Sequence, residues 1–118
     1  MGSFIELKAA DGHAFDAWVA TPAGTPRGAV LVIQEIFGVN SHIRAVTDGY
    51  AADGYLAIAP AFYDRAKRKY ETGYTQEDIQ AGMGIAQSLK PENTLADLGA
   101  ALAHALHQRK TLPTHNAE

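Results

Sequence analysis

No cysteine occurs among the 118 residues. That excludes disulfides, thiolate metal sites and a cysteine nucleophile. Long hydrophobic runs are missing as well: none approaches the ~18 apolar residues of a membrane span, and the first residues do not read as a signal peptide. No membrane partner is expected, and a cytoplasmic location is the default. Basic charge is not in excess. Ten Lys and Arg against thirteen Asp and Glu give a formal charge of -3, which argues against nucleic acid as the main partner. The chain also lacks a Gly-rich phosphate loop, a paired-carboxylate motif and an internal repeat, and no cofactor is expected. None of Ser3, Ser41 and Ser88 stands in a Gly-x-Ser-x-Gly frame.

What is present is the composition of a globular domain, 47% hydrophobic and 19% charged. One domain of this length buries roughly two-thirds of its unfolded surface. Phe4-Ile5-Glu6-Leu7-Lys8 partly alternates and predicts a strand. Asp11-Gly12 marks a hairpin turn, and 15–20 alternates as the returning strand. Two prolines and two glycines make 21–28 a loop. The continuous apolar run 29–33 predicts a strand covered on both faces. Asn40 or Ser41 caps a helix whose Ile43, Val46 and Tyr50 share a face, and Gly54 suits its end. A second buried strand follows at 55–59, ended by Pro60. Strand, helix and strand with short joins form a right-handed, parallel βαβ unit.

Beyond a charged loop at 64–71, Ile79, Met83, Ala86 and Leu89 share a helical face, although Gly82 and Gly84 weaken that helix. Lys90-Pro91 breaks the chain. Thr94 and Asp97 have the spacing of a capping box. Leu95, Leu98, Leu102 and Leu106 then form a strong apolar stripe running to His107 or Gln108, and a polar tail covers 109–118.

Glu35 is the first candidate for chemistry. It sits just past the carboxyl end of a buried parallel strand, where open α/β sheets place their ligands. Partial desolvation there would raise its pKa and let it exchange protons. Position alone equally allows a structural role, capping local amides or pairing with a cation. Arg65, Lys67, Arg68 and Lys69 form a basic cluster that reads first as a solvated charged loop. His104 and His107, at i and i+3, read as helix surface, since a zinc site needs three or four ligands. His115 lies in the tail. Gly38 suits a tight turn, and Asn40 suits a cap better than a ligand.

The run Gln34-Glu35-Ile36-Phe37-Gly38-Val39-Asn40 behind a hydrophobic strand, followed by Asp53-Gly54-Tyr55 and Pro60-Ala61-Phe62-Tyr63, resembles the dienelactone hydrolase (carboxymethylenebutenolidase) family of α/β-hydrolases. The resemblance extends from the Asp11-Gly12 hairpin to the helix ending near His107. It implies a mixed sheet of about four strands, an antiparallel hairpin joined to a parallel pair, with helices packed on it. It also implies hydrolysis of a lactone or ester. In that family the glutamate matching Glu35 contacts the nucleophile and helps activate it. The loop after this strand donates one backbone N–H to the oxyanion hole, which here is the amide of Ile36. Phe37 and Tyr63 would wall the substrate pocket, and Arg65 would hold a substrate carboxylate. Taken without the resemblance, Phe37 is ordinary core.

The family's nucleophile elbow, Gly-x-Cys-x-Gly or its serine form, finds no match here, and neither do its aspartate and histidine. The expectation is therefore an N-terminal half-domain over 1–108: a truncated or frameshifted product, a fragment, or one piece of a split protein. Such a chain would have little activity alone. The alternative is a non-catalytic module that self-associates or binds a small molecule. On either reading the strand at 29–33 becomes an open apolar edge, which tends to pair with another chain. A homo-oligomer that covers this edge is expected.

Overall fold

The computed structural model describes residues 2–111. Strands β1 (Ser3–Lys8) and β2 (Ala14–Ala20) pair antiparallel. The turn between them is closed by Gly12 N–H donating to the Ala9 carbonyl at 2.9 Å, with Gly12 at φ 91°. Strand β3 (Ala29–Leu31) leads to helix α1 (Ser41–Ala52) and strand β4 (Leu56–Pro60). A short 3₁₀ turn (Phe62–Arg65) and helices α2 (Gln76–Ser88) and α3 (Pro91–Thr111) follow.

The sheet order is β1-β2-β4-β3, with β2 antiparallel and β3 parallel to β4. This is the expected mixed α/β architecture of four strands, a hairpin joined to a parallel βαβ pair. Pairing runs on past β3, since Val32 N–H donates to the Ile58 carbonyl at 2.8 Å. All five residues of the central strand β4 are buried, as its continuous apolar sequence requires. One face of the sheet packs Ala17, Leu56 and Ile58 against Ala101 and Ala105 of α3. The other packs Val32 and Ala59 against Val39 and Ile43, at the start of α1. Asn40 is the cap of α1, its side-chain oxygen accepting from Ile43 N–H at 3.1 Å.

Two expectations for the later helices are corrected. Thr94 and Asp97 do not cap α3. The helix begins at Pro91, whose ring fits a first helical position, and Asn93 and Thr94 already donate back to the Lys90 carbonyl. The capping box lies instead at Thr75 and Asp78, opening α2. Nor does the leucine stripe of α3 face the sheet. Leu95, Leu102 and Leu106 are exposed, while Asp97, Ala101 and Ala105 are buried. Small side chains let the helix lie close to the strands, which leaves the leucines on a neighbouring face. The apolar face expected of α2 is also turned outward at Met83 and Ala86; its one fully buried residue is Gly82. Helix α3 runs on through Arg109 and Lys110, and the remainder of the tail, with His115, lies outside the described residues. No helix among the described residues is long and apolar enough to cross a membrane.

Candidate active site

Just past the carboxyl end of β3 the chain leaves the sheet through the 34–40 loop. Gly38 N–H donates to the Glu35 carbonyl at 3.2 Å, closing a tight turn in which Gly38 takes φ 84°. A Cβ on Gly38 would overlap the Tyr70 carbonyl oxygen, so both backbone freedom and lack of bulk are needed here. Thr72 N–H donates to the Phe37 carbonyl at 3.2 Å, tying the loop to the segment before α2. The Gln34 amide bridges outward from the loop. Its Nε2 donates to the Glu35 carbonyl and its Oε1 accepts from Phe62 N–H, both at 3.0 Å. Asn40, besides capping α1, donates from Nδ2 to the Tyr74 hydroxyl at 3.0 Å.

A groove of about 430 Å³ opens beside this loop. Its walls include Ile33, Glu35 and Ile36 from the loop side, Phe62 and Tyr63 from the 3₁₀ turn, and Ala86 and Leu98 from α2 and α3. Glu35, Ile36 and Tyr63 thus line the same groove. Among the described residues the Glu35 carboxylate has no ion pair and the Ile36 N–H has no acceptor. Glu35 is exposed, which corrects the partial desolvation expected of it. Tyr63 is buried and its hydroxyl donates to the Gly82 carbonyl at 3.1 Å. Burial, and then the neighbouring Tyr70, raises its pKa.

Phe37 and Arg65 are placed differently from expectation. Phe37 does not line the groove; its ring meets Tyr74 edge-on, with centroids 4.5 Å apart. Arg65 is neither a solvated cation nor a groove residue. Its Nη1 and Nη2 donate to the Asp11 carboxylate at 2.8 and 3.0 Å, and its Nε and Nη2 to Asp97 at 3.0 and 2.8 Å. The guanidinium fork is occupied by protein carboxylates. His104 is half-buried on α3, and burial followed by the charge of His107 lowers its pKa.

Two features had no distinct signal in the sequence. Gln34 lines both the groove and a second cavity of about 190 Å³, as does Tyr63, so these two side chains divide one space from the other. Asp64, in the wall of that cavity, is buried and accepts backbone N–H bonds from Asp16 at 2.8 Å and Lys69 at 3.1 Å. Its burial pushes its carboxyl upward despite those bonds. Lys69 takes φ 59°, in the loop that returns its N–H to Asp64.

Comparison with known proteins gives this geometry its relatives. The family model described as "Dienelactone hydrolase family" matches residues 15–115. A putative carboxymethylenebutenolidase of Synechocystis is 49% identical over 89 residues, covering 75% of this chain and 35% of that protein. The carboxymethylenebutenolidase of Pseudomonas putida is 33% identical over 107 residues, covering 88% and 44%. The crystal structure of a putative dienelactone hydrolase from Klebsiella pneumoniae superposes with a TM-score of 0.66 at 28% identity, over 89% of this chain and 45% of the other. The chain thus spans between a third and a half of the length of these relatives. With a family model running through nearly all of its described residues, the chain belongs to the dienelactone hydrolase family.

Proposed function

We propose that the 34–40 loop forms the acyl-oxygen side of a site that hydrolyses lactone or ester bonds. The observation that carries this reading is that Glu35 and Ile36 line one groove, where, among the described residues, the Ile36 N–H has no acceptor and the Glu35 carboxylate no ion pair. When a nucleophile attacks the substrate carbonyl, negative charge develops on its oxygen. A fixed backbone N–H at that point stabilises the oxyanion without reorganising. Glu35 acts on the nucleophile, taking its proton or holding it for attack. This chain contributes no cysteine and no serine in an elbow frame, so the nucleophile comes from polypeptide equivalent to the part of the relatives that it does not match. A catalytic set acts as a unit, and removing its nucleophile leaves little. By itself the chain should release no p-nitrophenol from p-nitrophenyl acetate above the buffer rate. Turnover that Glu35→Ala abolishes would contradict this division of labour and point to a carboxylate mechanism or a site shared between copies.

A second reading is favoured by the surface around the groove. Leu98 shares the groove with Ile33, and Leu95 and Leu102 are its neighbours along α3, with Leu106 one turn further. Ile33, Leu95, Leu102 and Leu106 are all exposed, and β3 is an edge strand of the sheet. On this reading the chain is a self-associating module, and a second copy covers the edge and the leucines.

A further inference from the structure

Gly82 is the single fully buried residue of α2. A Cβ built on it would overlap the Ile36 carbonyl oxygen and crowd the Ile36 carbonyl carbon and Cβ. Two residues on, a Cβ on Gly84 would meet nothing. Each glycine weakens the helix relative to alanine. At Gly82 that loss comes with a direct seat for the helix on the backbone of the loop; at Gly84 it comes with no contact.

The contact falls beside the peptide that matters most in the groove. The Ile36 N–H belongs to the same planar unit as the Glu35 carbonyl and points the opposite way in a trans peptide. That carbonyl accepts two hydrogen bonds, from Gln34 Nε2 at 3.0 Å and from Gly38 N–H at 3.2 Å. Fixing the carbonyl fixes the direction of the N–H. The next peptide is fixed in turn, because the Ile36 carbonyl abuts Gly82. Gly82 is held by its own carbonyl, which accepts the Tyr63 hydroxyl at 3.1 Å. Gln34 therefore acts on the peptide before Ile36, and Tyr63, through Gly82, on the peptide after it, and both belong or anchor to the same 3₁₀ turn, Gln34 through Phe62 N–H.

We propose that Gly82, Tyr63 and Gln34 are positioning residues that together aim the Ile36 N–H into the groove, with Gly82 admitting no side chain because α2 itself is the backstop of the loop. The proposal rests on the reading of Ile36 as an oxyanion donor. Its geometric content can be tested without catalysis.

The test is an amide ¹H–¹⁵N correlation spectrum of the 118-residue chain carrying Gly82→Ala or Gly84→Ala. The two substitutions make the same propensity gain in the same helix, and only the first meets Ile36. Gly82→Ala is expected to shift the Ile36, Phe37 and Gly38 amides and to speed hydrogen exchange at Gly38 about tenfold, as its bond to Glu35 loosens. Gly84→Ala is expected to leave those amides in place and to raise the melting temperature. Tyr63→Phe, which adds no bulk, is expected to shift the same three amides by less. The proposal is overturned if Gly82→Ala moves them no more than Gly84→Ala does, or, should Gly82→Ala not fold, if Tyr63→Phe leaves them unmoved. If the amides move as described but ester hydrolysis by a completed site is indifferent to Glu35, the functional reading fails and the positioning stands.

Discussion

Arg65 joins residues from distant parts of the chain. Its side chain, which the family resemblance offered to a substrate, instead binds Asp11 at the β1–β2 turn and Asp97 on α3. The Asp11 partner gives a pH signature. Hydrogen bonding from Arg65 holds the Asp11 carboxyl at about 2, below its ordinary 3.8. As pH falls past 4 the unfolded chain takes up a proton at Asp11 before the folded chain does. The contribution of this pair is thus complete above about pH 4 and lost towards pH 2. Asp64 acts with the opposite sign: burial raises its carboxyl, so its contribution is fullest below 3.8 and declines as pH rises. Comparing wild type with Asp11→Asn cancels the Asp64 effect. Between pH 4 and 2 the urea midpoint of wild type should fall more steeply than that of the variant; parallel curves would contradict the pairing. None of this could be read from local spacing. Asp97 lies three residues after Thr94 and so mimics a cap, whereas its partner is 32 positions away. Asn40 and Gly38 were legible because a cap and a positive-φ turn are satisfied within a few residues.

At the scale of elements, the hairpin and the parallel βαβ unit follow from alternation, turn residues and continuous apolar runs, and the structure has both. The helices after them were only half legible. Periodicity marks an apolar stripe but does not say which face docks, and in α3 the alanine face reaches the sheet while the leucines stay outside. A pair of substitutions separates these registers. Ala101→Leu forces new bulk between α3 and the residues Leu56 and Ile58, and should lower stability by about 1–3 kcal/mol. Leu102→Ala, at an exposed position one residue later, should change it by no more than about 0.5 kcal/mol in dilute, monomeric samples. Urea unfolding measures both, and the reverse order of effects would mean that the leucine stripe is the buried face. For α2 the sequence shows two glycines that look alike. Only their three-dimensional neighbours separate Gly82 from Gly84.

For the whole molecule, the second reading joins the edge strand β3 and the exposed leucines of α3 into one surface for self-association. Self-association through that surface would give a dimer in sedimentation velocity at micromolar concentration. Leu102→Glu should return it to monomer by placing a charge in the stripe, and a wild-type chain that sediments as a monomer would count against the second reading. The loop was the most legible part of the site, since its seven residues are contiguous and carry their own turn and cap. The groove was the least, because its walls come from the segment after β3, the 3₁₀ turn, α2 and α3. In the proposed function the loop supplies Glu35 and the Ile36 amide to a hydrolytic site whose nucleophile lies in other polypeptide. The most direct test joins this chain to the segment of the Synechocystis relative that lies beyond the match, and follows lactone hydrolysis in a fusion shown to be folded. The expected result is turnover that Glu35→Ala lowers about 100-fold, where the unjoined chain has none. A folded fusion without turnover, or one whose turnover is unchanged by Glu35→Ala, would contradict it.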